Sequence, residues 1–265
     1  MRPQIFDQLE YIASEQIAVP HCFTTRLGGV STGALASLNI GIHRGDAPEN
    51  VLKNYEILGN ALGFDPKDTV LTKQVHGNTV LAVDGTDRGT GLFRTQETPC
   101  DGLITNTPGV ALVVFTADCT PILLWDSVTG AVGAVHAGWR GTASAIAAEA
   151  VSQMEKQYGS RPENLFAAIG PNIGACCFET DRDVPDAMLN AFGPEAQKFI
   201  TRTGEKYHVD LKGINAMVLN RAGVRHIDIS TDCTACQNQR FWSHRITGGN
   251  RGSQGAVIVC RRVEK

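Results

Sequence analysis

The sequence predicts an α+β fold or a mixed α/β fold for this chain of 265 residues. Its composition, with 42% hydrophobic and 19% charged residues, is typical of a globular protein with a sizeable core. Short apolar runs of strand composition stand beside amphipathic helical patterns, and the two mix without strict alternation, which disfavours a doubly wound parallel sheet. No repeat or shift in composition marks a boundary, so residues 1–265 are expected to form a single domain.

The elements can be placed in order along the chain. A helix is predicted over residues 50–62, where Val51, Tyr55 and Leu58 share one face and Gly63 follows as a C-terminal cap. Three strand-like runs come next (110–115, 122–125 and 131–135), and the last two are predicted to form a buried hairpin. The remaining predictions are helices over 142–158, 183–192 and 210–222, and strands over 166–169, 227–229 and 257–259.

Charge and targeting signals exclude several classes of function. The net charge is only −3 and there is no long run of Lys or Arg, so neither a nucleic acid nor a membrane surface is expected as a partner. The N-terminus lacks the pattern of a signal peptide, and no segment has the roughly 18 consecutive apolar residues of a membrane span. We therefore expect a cytoplasmic protein whose eight cysteines are thiols or metal ligands rather than disulfides.

Three short segments carry residue types suited to catalysis. They contain His76, Cys119 and His136, and the last two each lie beside an apolar strand. If the predicted hairpin forms, Cys119 and His136 can meet at one edge of the sheet. That pair allows a nucleophilic cysteine with a base, or a metal bound by sulfur and nitrogen with His76 as a third ligand. Three protein ligands would leave a fourth position open, as in catalytic zinc sites. A buried thiol with two hydrogen-bonded histidines is the structural alternative.

The other cysteines give a weaker signal. Cys233 and Cys236 form a single CxxC pair, and without a second pair at zinc-ribbon spacing such a motif is weak evidence for metal binding or redox chemistry. Cys176 and Cys177 are interpreted as a packed or half-exposed loop pair. The remaining three are interpreted as small apolar residues, namely Cys22, Cys100 and Cys260.

Three arginines indicate an anionic ligand. Arg26, Arg140 and Arg245 lie close to glycines, where a guanidinium and backbone amides can bind the same phosphate or carboxylate. Any one of them alone is more often a solvated surface arginine. The chain has neither GxGxxG nor a Walker loop, so dinucleotide and NTP sites of those kinds are disfavoured.

A set of short motifs runs in order along the chain. The most specific are the Ala-Asp-Cys segment ending at Cys119 and the His-Ala-Gly-Trp-Arg-Gly segment over residues 136–141. The others include the segments 23–31, 37–41, 74–77, 101–102, 170–171, 210–211 and 243–245. Together these motifs resemble the laccase-domain, or YfiH-like, family of purine nucleoside phosphorylases, formerly described as multicopper polyphenol oxidases. The chain departs from the family pattern over 245–251, although Arg251 is kept, and this bears on the C-terminal part of the ligand site.

The resemblance implies an α+β fold with mixed sheets, similar to that of bacterial toxins with a Cys–His hydrolase site. It also implies zinc bound by His76, Cys119 and His136, with copper as the less expected metal. The implied activity is phosphorolysis of adenosine, inosine, guanosine and methylthioadenosine, with adenosine deamination as a second activity. Its partners would be purine nucleosides and phosphate, and the protein a monomer or small homo-oligomer.

Roles can be suggested for the remaining residues. One or more of Arg26, Arg140 and Arg245 would hold phosphate. Asp118 would donate a proton, orient a ligand, or only stabilise a turn. Three alternatives to the phosphorylase stay open. The first is a metal-independent hydrolase of cell-wall precursors, with Cys119 as nucleophile and His136 as base. The second is a non-enzymatic protein in which zinc, with four protein ligands, only stabilises the fold, and the third is a copper-dependent polyphenol oxidase. The oxidase needs more histidines than the seven in this chain provide at suitable positions.

Overall fold

The computed structural model describes residues 1–262. The strands are β1 Arg2–Phe6, β2 Leu9–Ala13, β3 His21–Thr24, β4 Thr69–Leu71, β5 Val80–Ala82, β6 Gly102–Thr105, β7 Ala111–Thr116, β8 Thr120–Asp126, β9 Val132–Ala137, β10 Leu165–Ile169, β11 Glu179–Thr180, β12 Ile200–Thr203, β13 Lys206–Val209, β14 His226–Ile229 and β15 Gln254–Val259. The α-helices are α1 Pro48–Leu62, α2 Trp139–Ala143, α3 Ile146–Tyr158, α4 Asp183–Phe192, α5 Leu211–Arg221 and α6 His244–Thr247. Short 3₁₀ helices cover Gly33–Leu35, Pro66–Asp68, Gly85–Asp87, Pro162–Asn164 and Gly193–Phe199.

The strands form two large mixed sheets and one small sheet. The first sheet has the order β1-β2-β3-β15-β7-β4, and the second has the order β14-β10-β8-β9-β6-β5. Most neighbours are antiparallel, but β4 pairs with β7, β5 with β6, and β10 with β14 in parallel. The small antiparallel sheet has the order β11-β13-β12. This arrangement confirms the predicted α+β fold with mixed sheets.

The two large sheets pack face to face between layers of helices. Leu112 and Val114 of β7 point into the core shared with Leu123 of β8, while Val113 points to the opposite side, where Tyr55 of α1 lies. Helices α3 and α5 cover the outer face of the second sheet. Since side chains alternate along a strand and both faces of the central strands are buried, these strands are apolar at nearly every position. This explains the continuous apolar runs in the sequence.

Most of the predicted elements are present, one prediction was wrong, and some strands were not predicted. The hairpin of β8 and β9 is confirmed, with Leu123 paired to Ala134. The helix predicted over 142–158 is in fact α2 and α3, separated because Ala145 adopts the left-handed conformation with φ 55°. The strands of the N-terminal region were not predicted, since β1 is exposed along its whole length and lacks an apolar pattern. Among residues 1–262, no helix is both long enough and apolar enough to cross a membrane.

Candidate metal centre and active-site cleft

Strand pairing in the second sheet places Cys119 beside His136. Cys119 immediately precedes β8, and His136 lies near the end of β9 opposite Pro121. Asp101 immediately precedes β6, which pairs with the other side of β9, and its carbonyl accepts a hydrogen bond of 2.7 Å from the His136 amide. Three functional side chains therefore meet at one end of neighbouring strands, where the backbone is fixed by the sheet.

The loop that carries His76 is held by the carboxylate of Asp101. This buried carboxylate accepts hydrogen bonds from three successive amides, those of Val75 (3.1 Å), His76 (2.9 Å) and Gly77 (2.8 Å). It also accepts a hydrogen bond of 2.8 Å from Nδ1 of His136. His76 is in the left-handed conformation with φ 61°, which this set of hydrogen bonds stabilises. A single carboxylate thus positions two of the three candidate ligands.

The three candidate ligand atoms form a group that could hold a metal ion. One nitrogen of each histidine and the sulfur of Cys119 all lie within 4.8 Å of one another, and His76 Nε2 is 4.0 Å from Cys119 Sγ. A tetrahedral zinc ion separates sulfur and nitrogen ligands by roughly 3.5 Å, so only small shifts are needed to bind it. A Cβ added to Gly138 would lie 2.9 Å from the His76 ring, 3.3 Å from Cys119 Sγ and 3.6 Å from the His136 ring. The three side chains thus surround a space that only glycine leaves open, since any other residue at 138 would place its Cβ there.

Electrostatic interactions favour the ionised forms of Cys119 and His136, a thiolate and an imidazolium. Burial acts to raise the pKa of the Cys119 thiol, but the adjacent His136 and His76 outweigh it and lower that pKa to about 6. Burial likewise acts to lower the pKa of His136, but Cys119 and Asp101 raise it to about 9. A thiolate is the form that binds metal or attacks a carbonyl, so both chemistries inferred from the sequence are available to it.

A cleft of about 370 Å³ lies over these residues and has a positively charged wall. Arg44, Arg245 and Arg251 all line it. The largely buried Arg251 donates to the carbonyl of Gly252 (2.9 Å) and approaches Nδ1 of His244 at 3.4 Å. Burial, with the nearby charge of Arg44, lowers the pKa of Arg251 to about 10. The positive charges of Arg44 and Arg251 repel each other across the cleft, and an anion bound between them would relieve that repulsion.

Comparison with known proteins identifies the family. Residues 20–261 match the family model described as multi-copper polyphenol oxidoreductase laccase. The chain belongs to this laccase-domain family. It is 40% identical over 243 residues to a Geobacillus stearothermophilus protein named purine nucleoside phosphorylase YlmD, covering 90% of the chain and 89% of the relative. A Deinococcus radiodurans protein named purine nucleoside phosphorylase is 39% identical over 256 residues, covering 97% and 95%.

Solved structures of the laccase-domain family share the fold. The crystal structure of YlmD from Geobacillus stearothermophilus has a TM-score of 0.90 and 36% sequence identity, and the match covers 98% of each chain. The crystal structure of the Bacillus licheniformis hypothetical protein YfiH has a TM-score of 0.87 and 36% identity, covering 91% of this chain and 92% of that one.

Of the three arginines proposed to bind an anion in this laccase-domain chain, only Arg245 lines the cleft. Arg26 donates to the carbonyls of Ala36 (2.9 Å) and Asn238 (3.1 Å) and stacks 3.9 Å above the Trp242 ring. Arg245 makes comparable backbone hydrogen bonds, to the carbonyls of Cys177 (3.0 Å) and Glu179 (2.9 Å), but it lines the cleft, whereas Arg26 does not. Arg140 is exposed inside α2 and lies 4.1 Å above the ring of Trp139, outside the cleft. The structure therefore places Arg26 and Arg140 outside the lining of this cleft.

Asp118 is a buried connector between the loops of the site. Its Oδ1 accepts a hydrogen bond of 2.6 Å from the Thr234 hydroxyl, and its Oδ2 accepts one of 2.6 Å from the Arg245 amide. Its carbonyl accepts from the amide of Ile173. Both carboxylate oxygens thus already act as acceptors, which fits a role in orienting neighbouring segments better than proton donation.

Several residues of the site were not predicted as such. Arg44 and Arg251 line the cleft, but neither was among the candidate anion-binding residues, because no local pattern distinguishes them from other arginines. Asp101 appeared only as part of a family motif, although an Asp beside the start of a buried strand was a signal that could have been weighed. The structure also brings Cys176 and Cys177 close to Cys233 and Cys236, two pairs that no sequence pattern connects.

Proposed function

We propose that this chain is a purine nucleoside phosphorylase that holds a zinc ion with His76, Cys119 and His136. One observation carries the proposal: a thiolate–imidazole cluster and three arginines face the same cleft. Phosphate-dependent cleavage of a nucleoside needs an anion site on one side of the reacting bond and a group that stabilises the departing purine on the other, and this cleft offers candidates for both. The relatives named purine nucleoside phosphorylase support the choice of substrate. When bound, zinc would supply Lewis-acid polarisation.

The arginines would bind and orient the phosphate. Arg44, Arg245 and Arg251 would neutralise it so that one of its oxygens can attack C1′ of the ribose. The C1′–N9 bond then breaks, and the purine leaves with the electron pair and takes up a proton. Phe115 and Phe178, which also line the cleft, would provide apolar faces for the base. Asp118 would keep the Arg245 backbone in place through its hydrogen bond to the amide.

We propose adenosine, inosine, guanosine and methylthioadenosine as substrates, with adenosine deamination as a second activity of the same site. The deaminase reaction replaces the amino group of the purine with oxygen from water and needs no phosphate. Formation of inosine from adenosine in phosphate-free buffer therefore tests it separately. Unchanged adenosine under those conditions, in a preparation that carries out phosphorolysis, would refute the second activity alone.

The test of the phosphorylase is product analysis by chromatography with inosine, with and without phosphate, at measured metal content. We expect release of hypoxanthine that depends on phosphate. His76→Ala should lose bound zinc and turnover together, because it removes one of three protein ligands. Arg251→Ala should raise KM for phosphate about ten- to hundredfold, the range for losing a hydrogen bond to a charged group. Arg140→Ala, which removes an exposed arginine outside the cleft, is the matched control and should leave KM unchanged.

One geometric observation favours a second candidate, a hydrolase without metal. Asp101, His136 and Cys119 follow one another as carboxylate, imidazole and thiol, the order used by cysteine hydrolases. In that case alkylation of Cys119 would abolish activity on an amide or peptide-linked substrate, and chelation would leave it intact. No release of base by protein with a full metal complement, together with this pattern, would decide against the phosphorylase.

A further inference from the structure

A second group of metal-ligating side chains lies outside the proposed active site. Cys176, Cys177, Cys233 and Cys236, here called the four-cysteine cluster, place their sulfur atoms within 4.8 Å of one another. Cys236 Sγ is 3.3 Å from Cys177 Sγ and 3.5 Å from Cys176 Sγ. All four are free thiols. A tetrahedral ion with four sulfur ligands separates them by roughly 3.8 Å, given a zinc–sulfur bond of about 2.3 Å.

Backbone contacts hold the two segments of the four-cysteine cluster together. Asn172 and Cys233 form a β-bridge, and the amide of Thr234 donates to the carbonyl of Asn172 at 2.9 Å. The amide of Gly174 donates to Cys233 Sγ at 3.2 Å. Amide hydrogen bonds to sulfur stabilise a thiolate, the form that binds metal. The convergence of the four sulfurs is therefore built into the fold, although the two cysteine pairs are 56 or more residues apart in the sequence.

A buried positive charge accompanies the four-cysteine cluster. The ammonium group of Lys212 donates to the carbonyls of Ser230 (2.8 Å) and Asp232, in the segment that leads into Cys233. Burial lowers the pKa of Lys212, while the charges of Asp232 and Cys233 act in the opposite direction. Four thiolates around a divalent ion leave two negative charges, and a nearby ammonium offsets part of them.

We propose that the four-cysteine cluster binds a structural zinc ion. Four thiolates close the tetrahedral coordination, so this ion would stabilise the fold rather than take part in catalysis. Its effect would reach the cleft, because Ile173 and Phe178, which flank the first cysteine pair, line the cleft wall. Arg245 is tied to the same segment by its hydrogen bond of 3.0 Å to the carbonyl of Cys177. The proposed ion would therefore fix the wall that carries one of the phosphate-binding arginines.

The experiment is a count of zinc per chain in purified protein after dialysis against a mild chelator. Cys176→Ser/Cys236→Ser, at two exposed side chains, should lose one ion relative to the parent protein. The same double substitution in the His76→Ala background should lose one ion relative to that background, whatever the His76 site holds. Cys22→Ala, at a buried cysteine outside the cluster, is the control and should keep the parental count. An unchanged count in the double variant would overturn the proposal.

Two measurements do not depend on how the cysteine variants fold. Cobalt loaded into the His76→Ala protein should give the strong thiolate-to-metal absorption of four sulfur ligands. In the unsubstituted protein, the exposed Cys176 and Cys236 should be alkylated slowly as isolated and rapidly after chelation, as read by peptide mass spectrometry. Rapid alkylation before chelation would refute metal binding. A disulfide between Cys236 and either Cys176 or Cys177 in freshly isolated protein would also refute it and assign the pair to redox chemistry instead.

Discussion

Asp101 connects the histidines of the candidate metal centre to each other. Its carboxylate accepts three amide hydrogen bonds from the His76 loop and one from the ring of His136. Burial acts to raise the pKa of Asp101, but these hydrogen bonds outweigh it, and the pKa is lowered below its usual range. The residue stays ionised at neutral pH and fixes which nitrogen of His136 faces Cys119.

We expect Asp101→Asn to weaken metal binding by about 10- to 100-fold, the range found when a partner of a metal-ligating histidine is removed. The amide keeps the size of the side chain but brings an NH₂ group against donors, so one or more hydrogen bonds of the set must be lost. Zinc affinity measured by competition with a coloured chelator tests this.

A matched control separates metal binding from general loss of stability. Asp126 is also fully buried, and its Oδ1 accepts hydrogen bonds from the amides of Val128 and Thr129, away from the cleft. Asp126→Asn should lower the free energy of unfolding without changing zinc affinity. Equal zinc affinity in Asp101→Asn and the parent protein would show that Asp101 has no role in orienting the ligands.

The sequence distinguished the candidate metal ligands from other residues, but it did not distinguish the arginines that line the cleft. Cys119 and His136 were selected because each lies in a short motif beside an apolar strand, and His76 was added from a loop between strands. The structure does bring the three together. The arginines could not be sorted in the same way. Arg26 and Arg251 both lie near glycines, but backbone carbonyls occupy the first, whereas the second faces the cleft. That difference depends in part on the loop that supplies the Asn238 carbonyl to Arg26, 212 residues away in the sequence, which no local pattern encodes.

At the scale of elements, the site depends on a crossing between layers. β7 belongs to the first sheet and β8 to the second, so residues 117–119 pass from one sheet to the other. Asp118 adopts φ 85° in this crossing. On the opposite side, β9 ends and α2 begins at Gly138, whose backbone conformation any residue can adopt. Glycine is required there by the closeness of the three ligand side chains.

Gly138→Ala should therefore displace the ligands without unfolding the chain. The new methyl group would lie 2.9 Å from the ring of His76, which is too close for two carbon atoms, so the His76 side chain must shift. We expect lower zinc content per chain with a circular dichroism spectrum like that of the parent protein. Gly85→Ala is the control, since its methyl group would make only ordinary contacts, with nearest atoms at 3.6 Å. Full zinc content in Gly138→Ala would contradict the proposed ligand set.

The predicted elements were reliable where both faces are buried. The runs that became β7, β8 and β9 are apolar at nearly every position, and they were found. The break between α2 and α3 was not predicted. Good helix formers lie on both sides of Ala145, and the break depends on the left-handed conformation of that residue. Buried Thr142 accepts a hydrogen bond of 2.9 Å from Asn215 of α5, a tertiary contact that helps fix α2 where it lies.

In the molecule as a whole, pairing between strands that are distant in the sequence determines which cysteines meet, and no local pattern shows that pairing. The four-cysteine cluster joins a loop after β10 to a loop after β14, two strands that are parallel neighbours. Each cysteine pair alone was weak evidence for a site. Their meeting follows from the parallel pairing, which places both loops at the same end of the sheet. The topology thus changed the interpretation of motifs that the sequence had already shown.

The stability of the whole fold should fall on mild acidification, with His21 as one cause. His21 is buried at the start of β3, where Nε2 accepts a hydrogen bond of 2.9 Å from the Ser14 amide and Nδ1 donates to the carbonyl of Val19. This arrangement requires a neutral ring. Burial lowers the pKa of His21 despite opposing contributions from Val19 and Asp228. The unfolded chain, with the ordinary histidine value of about 6.5, then binds more protons than the folded chain as pH falls below that value.

Because the unfolded chain binds more protons, the free energy of unfolding decreases as pH falls from about 6.5 toward the pKa of His21 in the folded chain. The decrease is at most about 1.4 kcal/mol per pH unit. Urea unfolding from pH 7.5 to 5.5, with chelator present so that metal release does not contribute, measures the slope. His21→Gln keeps a donor and an acceptor but cannot titrate, so the difference between its slope and the parental slope isolates His21. His226→Gln, at an exposed histidine, should retain the parental slope. Identical slopes for His21→Gln and the parent protein would show that the buried ring does not couple folding to pH.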